Sequence, residues 1–157
     1  PDIVTDPDII PTQECPDDVI KHLLELHLKY FDYQKIGLGL KIDDLPDHFK
    51  LKEQVINWES QFWTNEIAPN IYESGVDTTF AVYKPFTFSY FIHPSLRTGE
   101  PYVARHLPWY LDTTKISVEE QFYRDRVNNN ITSWNVDDLA DRYKKEIKRQ
   151  VKQKSKK

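Results

Sequence analysis

A mixed α+β layer fold is what this chain predicts, and three observations carry that prediction. Strand-like and helix-like stretches alternate along it. The run Lys35-Ile36-Gly37-Leu38-Gly39-Leu40-Lys41-Ile42 has the period of two of a strand, with Ile36, Leu38, Leu40 and Ile42 on one face. Before it, Val19, Ile20, Leu23, Leu24, Leu28 and Phe31 follow helical spacing.

The elements follow in chain order. Asp2 to Asp8 reads as the end of a short apolar strand running into an acidic turn, and Pro7, Pro11 and Pro16 delay any regular element. Pro16 suits the first helical position, with Asp17 and Asp18 at the positive end of the helix dipole. After the strand at 35–42, Asp43-Asp44-Leu45-Pro46 makes a polar turn. A second helix is expected from Leu51 to about Glu66, with Leu51, Val55, Trp58 and Phe62 inward. Residues 77–83 have the β-branched and aromatic character of a strand, Pro85 breaks it, and 86–92 reads as another. The stretch from His93 to Asp112, with Pro94, Gly99, Pro101 and Pro108, reads as an irregular binding loop. Ser117-Val118-Glu119-Glu120 is a capping box that starts a helix, which should fail near Asn128-Asn129-Asn130. A last helix begins near Val136, with Leu139, Tyr143, Ile147 and Val151 as its apolar stripe. The expected organisation is a body over 1–134 and a basic C-terminal amphipathic helix over 135–157.

Composition narrows the class. The 157 residues are 13% aromatic, with 4 Trp, 9 Tyr and 8 Phe, enough to build a core and to offer flat surfaces to sugars or bases. Met is absent, so Pro1 is read as a processed end, a cut or an excerpt. The single cysteine, Cys15, excludes an internal disulfide and fits a reducing, cytoplasmic compartment. No stretch has the apolar length of a membrane span. Net charge is -4, but residues 142–157 hold nine Lys/Arg against one acid, which leaves the rest strongly acidic. Such a tail suits peripheral contact with an anionic membrane surface, or it is a solvated helix that frays. An acidic body without a recognised nucleic-acid fold points away from nucleic acid.

Candidate chemistry clusters in few places. Asp6 and Asp8, one residue apart in a tight turn, suit a hard cation such as Mn²⁺ or Mg²⁺, although an acidic turn explains them too. His106 is a candidate third metal ligand, and Arg105 a bidentate phosphate contact; a half-buried loop histidine beside a surface ion pair is the alternative. Asp43 and Asp44 after a strand, and Asp77 before one, are candidates for the base of a sugar transfer, with turn capping as the plainer account. Arg97 and Trp109 lie in the same functional stretch, and Trp109 is the tryptophan expected nearest a ligand. The triplet Asn130-Ile131-Thr132 matches a glycosylation acceptor, a pattern frequent by chance.

Together these blocks resemble GT-A-type glycosyltransferases of the family 2 kind. The resemblance is carried by Ile3-Val4-Thr5-Asp6-Pro7-Asp8, by Cys15-Pro16-Asp17-Asp18, and by the run from Lys35 to Pro46. Asp77-Thr78-Thr79-Phe80-Ala81-Val82-Tyr83 and the stretch from Arg97 through Ala104-Arg105-His106-Leu107-Pro108-Trp109-Tyr110 carry it further. It spans about residues 3–112 and implies a partial GT-A-like sheet flanked by helices. It further implies transfer of a sugar from a nucleotide-sugar donor to a saccharide or lipid-linked acceptor. On that resemblance Asp6 and Asp8 match the metal-binding DxD, His106 a downstream ligand, and Asp43, Asp44 or Asp77 the acceptor side. In that family a nucleotide-binding half precedes the DxD, and here five residues do. A non-catalytic carbohydrate- or partner-binding module is the rival reading. What divides the readings is whether the Arg-His-Leu-Pro-Trp segment folds back beside the two acids.

Overall fold

The computed structural model describes residues 1–76, 79–86, 95–112 and 115–126. Asp77, residues 87–92 of the strand expected over 86–92, the Asn130 triplet and the helix expected over 135–157 lie outside the described residues. The expected mixed α+β fold is what forms. Its strands are β1 (Asp2–Val4), β2 (Ile9–Pro11), β3 (Lys35–Leu40), β4 (Glu66–Ala68), β5 (Ile71–Glu73), β6 (Ala81–Tyr83) and β7 (Ser95–His106). Its helices are α1 (Val19–Lys29), α2 (Lys52–Glu59) and α3 (Val118–Arg124). No helix among the described residues is long and apolar enough to cross a membrane.

The strands make one sheet in the order β1-β6-β3-β7-β5-β4, with β2 paired to β7 beside the far end of β3. Among the described residues β3 and β7 are the parallel pair, and every other pairing is antiparallel. The chain falls into two compact units. The first joins Pro1–Asp44 to Glu59–Leu107 and contains the whole sheet and α1. The second joins Leu45–Trp58 to Pro108–Lys157, and among the described residues Leu45, Phe49, Leu51, Val55 and Trp109 are its buried apolar side chains.

In the first unit all six residues of β3 are buried, including both glycines. The alternation that suggested one apolar face therefore belongs to a central strand covered on both sides, as a parallel pair requires. Ile36, Leu38 and Leu40 fill one face, and α1 packs along β3 and β6 through Leu23 and Leu26. The other face of β3 carries Lys35, Gly37 and Gly39. A Cβ on Gly37 would stand 2.7 Å from Val76 and 2.8 Å from Ala81, so bare backbone there lets these two side chains lie against the strand. Lys35 is fully buried, donates to the carbonyl of Val76 at 3.0 Å and lies 4.6 Å from the Tyr83 ring.

Three elements depart from expectation. Within the irregular loop expected over 93–112, residues 95–106 instead form β7, the longest strand among the described residues. Gly99 and Pro101 do not break it, because the chain leaves the ladder only between Thr98, paired with Leu38, and Val103, paired with Gly39. Residues 99–102 form a four-residue excursion across one register step, closed by Thr98 Oγ1 donating to the Tyr102 carbonyl at 2.6 Å. The second helix ends at Glu59 and tightens into a 3₁₀ turn over Ser60–Trp63. Contacts with β7 dictate this ending: Glu59 pairs with Arg97, and Phe62 lies 4.1 Å beneath that guanidinium. A β4–β5 hairpin that no periodicity announced then turns at Asn70, whose φ of 59° is a conformation asparagine tolerates better than most residues.

Candidate functional site

The carboxyl end of the parallel pair β3/β7 gathers most of the chemistry-bearing residues, which is where open sheets with parallel strands present ligand sites. Three chain segments meet there. The acidic turn after β1 is closed by the Ile9 amide donating to the Asp6 carbonyl at 3.2 Å. β2 then pairs with the end of β7, setting Ile9 opposite His106 and Ile10 opposite Arg105. The segment after β3 continues its ladder through the Lys41 amide, which donates to the Ala104 carbonyl at 2.8 Å.

This pairing brings His106 to Asp8: Nε2 lies 3.3 Å from the Asp8 carboxylate, and the Leu107 amide donates to the Asp8 carbonyl at 2.9 Å. The hydrogen bond from His106 is the main reason the Asp8 carboxyl is held below its usual range; desolvation opposes it. The segment does fold back onto the acidic turn, and the imidazole meets one of the two acids. Asp6 does not complete a triad, for among the described residues no three His, Cys, Asp or Glu side chains converge. The expected three-donor set of Asp6, Asp8 and His106 is therefore corrected to the pair Asp8 and His106. Asp8 is pinned to the end of β7 by both its backbone and its side chain.

The Nε2 that faces Asp8 carries its proton in that hydrogen bond, so Asp8 and His106 could hold a hard cation together only once the imidazole has lost that proton and the hydrogen bond has given way to the ion.

Arg105 is the next residue on β7, and neighbouring strand positions project to opposite faces. Its guanidinium holds Asp44, with Nε at 3.0 Å from Oδ2 and a second nitrogen on the same oxygen. Arg105 thus faces away from His106 instead of flanking it as a phosphate contact. Asp43 is exposed and lies 3.0 Å from Lys41, which also binds Glu100 of the excursion. Glu100 first, and Asp43 after it, raise the Lys41 ammonium above its usual range. Both described candidates for the base are consequently ion-paired.

Two further expectations are corrected by burial. Arg97, expected at the ligand, is 1% exposed: it pairs with Glu59 at 2.7 Å and donates from Nε to the Gly75 carbonyl at 2.6 Å. Its role is to hold the sheet to the end of α2. Trp109, the tryptophan expected nearest a ligand, is 2% exposed and serves as core of the second unit. Sequence reasoning also passed over Lys41, Glu100 and Glu59. Lys41 was legible as the polar end of an apolar strand, whereas Glu59 sits in a helix pattern with nothing to mark it.

Comparison with protein-family models, with curated proteins and with solved structures gave no match.

Proposed function

We propose that this chain forms the acceptor-side part of a metal-dependent, nucleotide-sugar glycosyltransferase, acting on a saccharide or lipid-linked acceptor. The single observation that supports it best is the Asp8–His106 contact of 3.3 Å, made between residues far apart in sequence at the carboxyl end of a parallel strand pair. In this reading Asp8 and His106 hold Mn²⁺ or Mg²⁺, and a nucleotide-binding half supplies the base and ribose pocket. Asp44 and Asp43 orient the acceptor side through Arg105 and Lys41. The proton acceptor is then sought at Asp77. The same reading places the protein in the cytoplasm, with residues 142–157 contacting an anionic membrane surface.

The internal pairing of Asp43, Asp44 and Arg105 favours one second reading, a non-catalytic carbohydrate- or partner-binding module. Metal separates the two. Under the enzyme reading Mn²⁺ raises the melting temperature further when uridine or guanosine diphosphate is added, and paramagnetic broadening centres on His106. Asp8→Asn in the full-length protein should lower metal-dependent donor hydrolysis or transfer by about 100-fold, since a charged ligand to the ion is lost. Undiminished turnover in that variant would sink the enzyme reading.

A further inference from the structure

On the face of β3 that carries Gly37 and Gly39, the next position in step is Lys41. A Cβ on Gly39 would lie 2.4 Å from Cη2 and 2.8 Å from Cζ2 of Trp63, so the indole edge rests directly on bare backbone. Trp63 is only half-buried, meets Tyr72 edge-to-face at 5.2 Å, and its enclosed Nε1 has no acceptor among the described residues. The register sets Leu40 beside Ala104, which puts Lys41 beside Arg105 on this same face. Lys41 carries Glu100 and Asp43, and Arg105 carries Asp44. The result is a half-buried indole on the same strand face as two cations and three carboxylates, towards the carboxyl end of the parallel pair.

That composition selects among ligand classes. Carboxylates outnumber cations, and each cation is already neutralised, so an anion such as phosphate gains little here. A purely apolar ligand would leave the ion pairs desolvated without compensation. A polyhydroxylated ring meets both demands: its C–H face lies against an aromatic surface, and its hydroxyls both donate to carboxylates and accept from ammonium and guanidinium groups. We propose that Trp63, Lys41, Asp43, Asp44, Glu100 and Arg105 form a subsite for a neutral saccharide. The subsite does not rest on the glycosyl-transfer reading, because Lys41 and Arg105 project from the face of the sheet opposite to His106 and its partner Asp8.

The test titrates the full chain with maltotriose, chitotriose and lactose while the indole N–H of Trp63 is followed by NMR. At least one sugar should shift that resonance saturably, and titration calorimetry with that sugar should show Trp63→Phe and Lys41→Met each weakening its binding about 10-fold. Both variants should leave Mn²⁺ broadening at His106 as in the parent, which keeps this test independent of the metal reading. If Trp63→Phe does not fold, Lys41→Met alone decides. Absence of a saturable shift with all three sugars, unchanged affinity in Lys41→Met, or a larger shift with inorganic phosphate would overturn the proposal.

Discussion

Asp8 shows how one residue's titration reads out a contact. Its carboxyl is depressed from the ordinary 3.8 by the His106 hydrogen bond, so the native state binds that proton less readily than the unfolded chain. The stabilisation is therefore fully present above about pH 3.8 and disappears as pH falls through the lowered native value. The Asp8 side chain is 40% exposed, so solvent screening keeps the effect under about 1 kcal/mol. Asp8→Asn should flatten that acid limb in urea denaturation followed between pH 2 and 5. Arg97 makes the opposite case. Arg97→Ala strands the buried Glu59 carboxylate, and a loss of about 3–5 kcal/mol is expected in urea unfolding. Replacing both partners by Met and Leu should cost far less, because no buried charge is then left alone. Equal losses from the single and double replacements would show that packing alone, and not the charge, sets the cost.

At the level of elements, the exchange between β3 and β7 determines where the chemistry ends up. Gly39→Ala would force a methyl group toward Trp63 and to 2.6 Å from the Thr98 carbonyl, which is backbone and yields little. A destabilisation of about 1–3 kcal/mol follows, measurable by chemical denaturation. Gly99→Ala meets its neighbours at 3.1 Å and should cost less. The excursion between Thr98 and Val103 is pinned at both ends of its span. The Tyr102 ring stacks on His22 at 3.7 Å, its hydroxyl donates to Asp18 at 2.9 Å, and Glu100 is held by Lys41. Anchoring the excursion fixes the register of Val103 to His106, and with it the approach of His106 to Asp8.

For the molecule as a whole, the charge pattern makes the sharpest prediction. Nine Lys/Arg against one acid in 142–157 sit beside an acidic remainder in a chain of net -4. Removing residues 142–157 should reduce binding to phosphatidylglycerol vesicles at least 10-fold at low salt, and binding of the full chain should fall as salt rises. Equal vesicle binding by the shortened chain, in a sedimentation assay, would end the membrane-surface reading.

Local sequence determined the elements whose signal is short-range. The first helix, the central strand and the capping-box helix all form where the spacing places them, because periodicity and a cap are properties of neighbouring residues, although the helix starts at Val19 and not at Pro16 and the strand stops at Leu40, short of Ile42. Long-range pairing decided the rest. Gly99 and Pro101 read locally as breakers, yet the chain rejoins β7 after four residues because both neighbouring strands offer it backbone partners. Arg97 and Trp109 carry the residue types of a binding loop, and only their surroundings make them core. His106 was nameable in the sequence, but its distance from Asp8 is a product of β2 pairing with β7. The physical claim beneath all of this is that an imidazole and a carboxylate remote in sequence share one edge of the sheet because backbone hydrogen bonds, not local propensity, put them there.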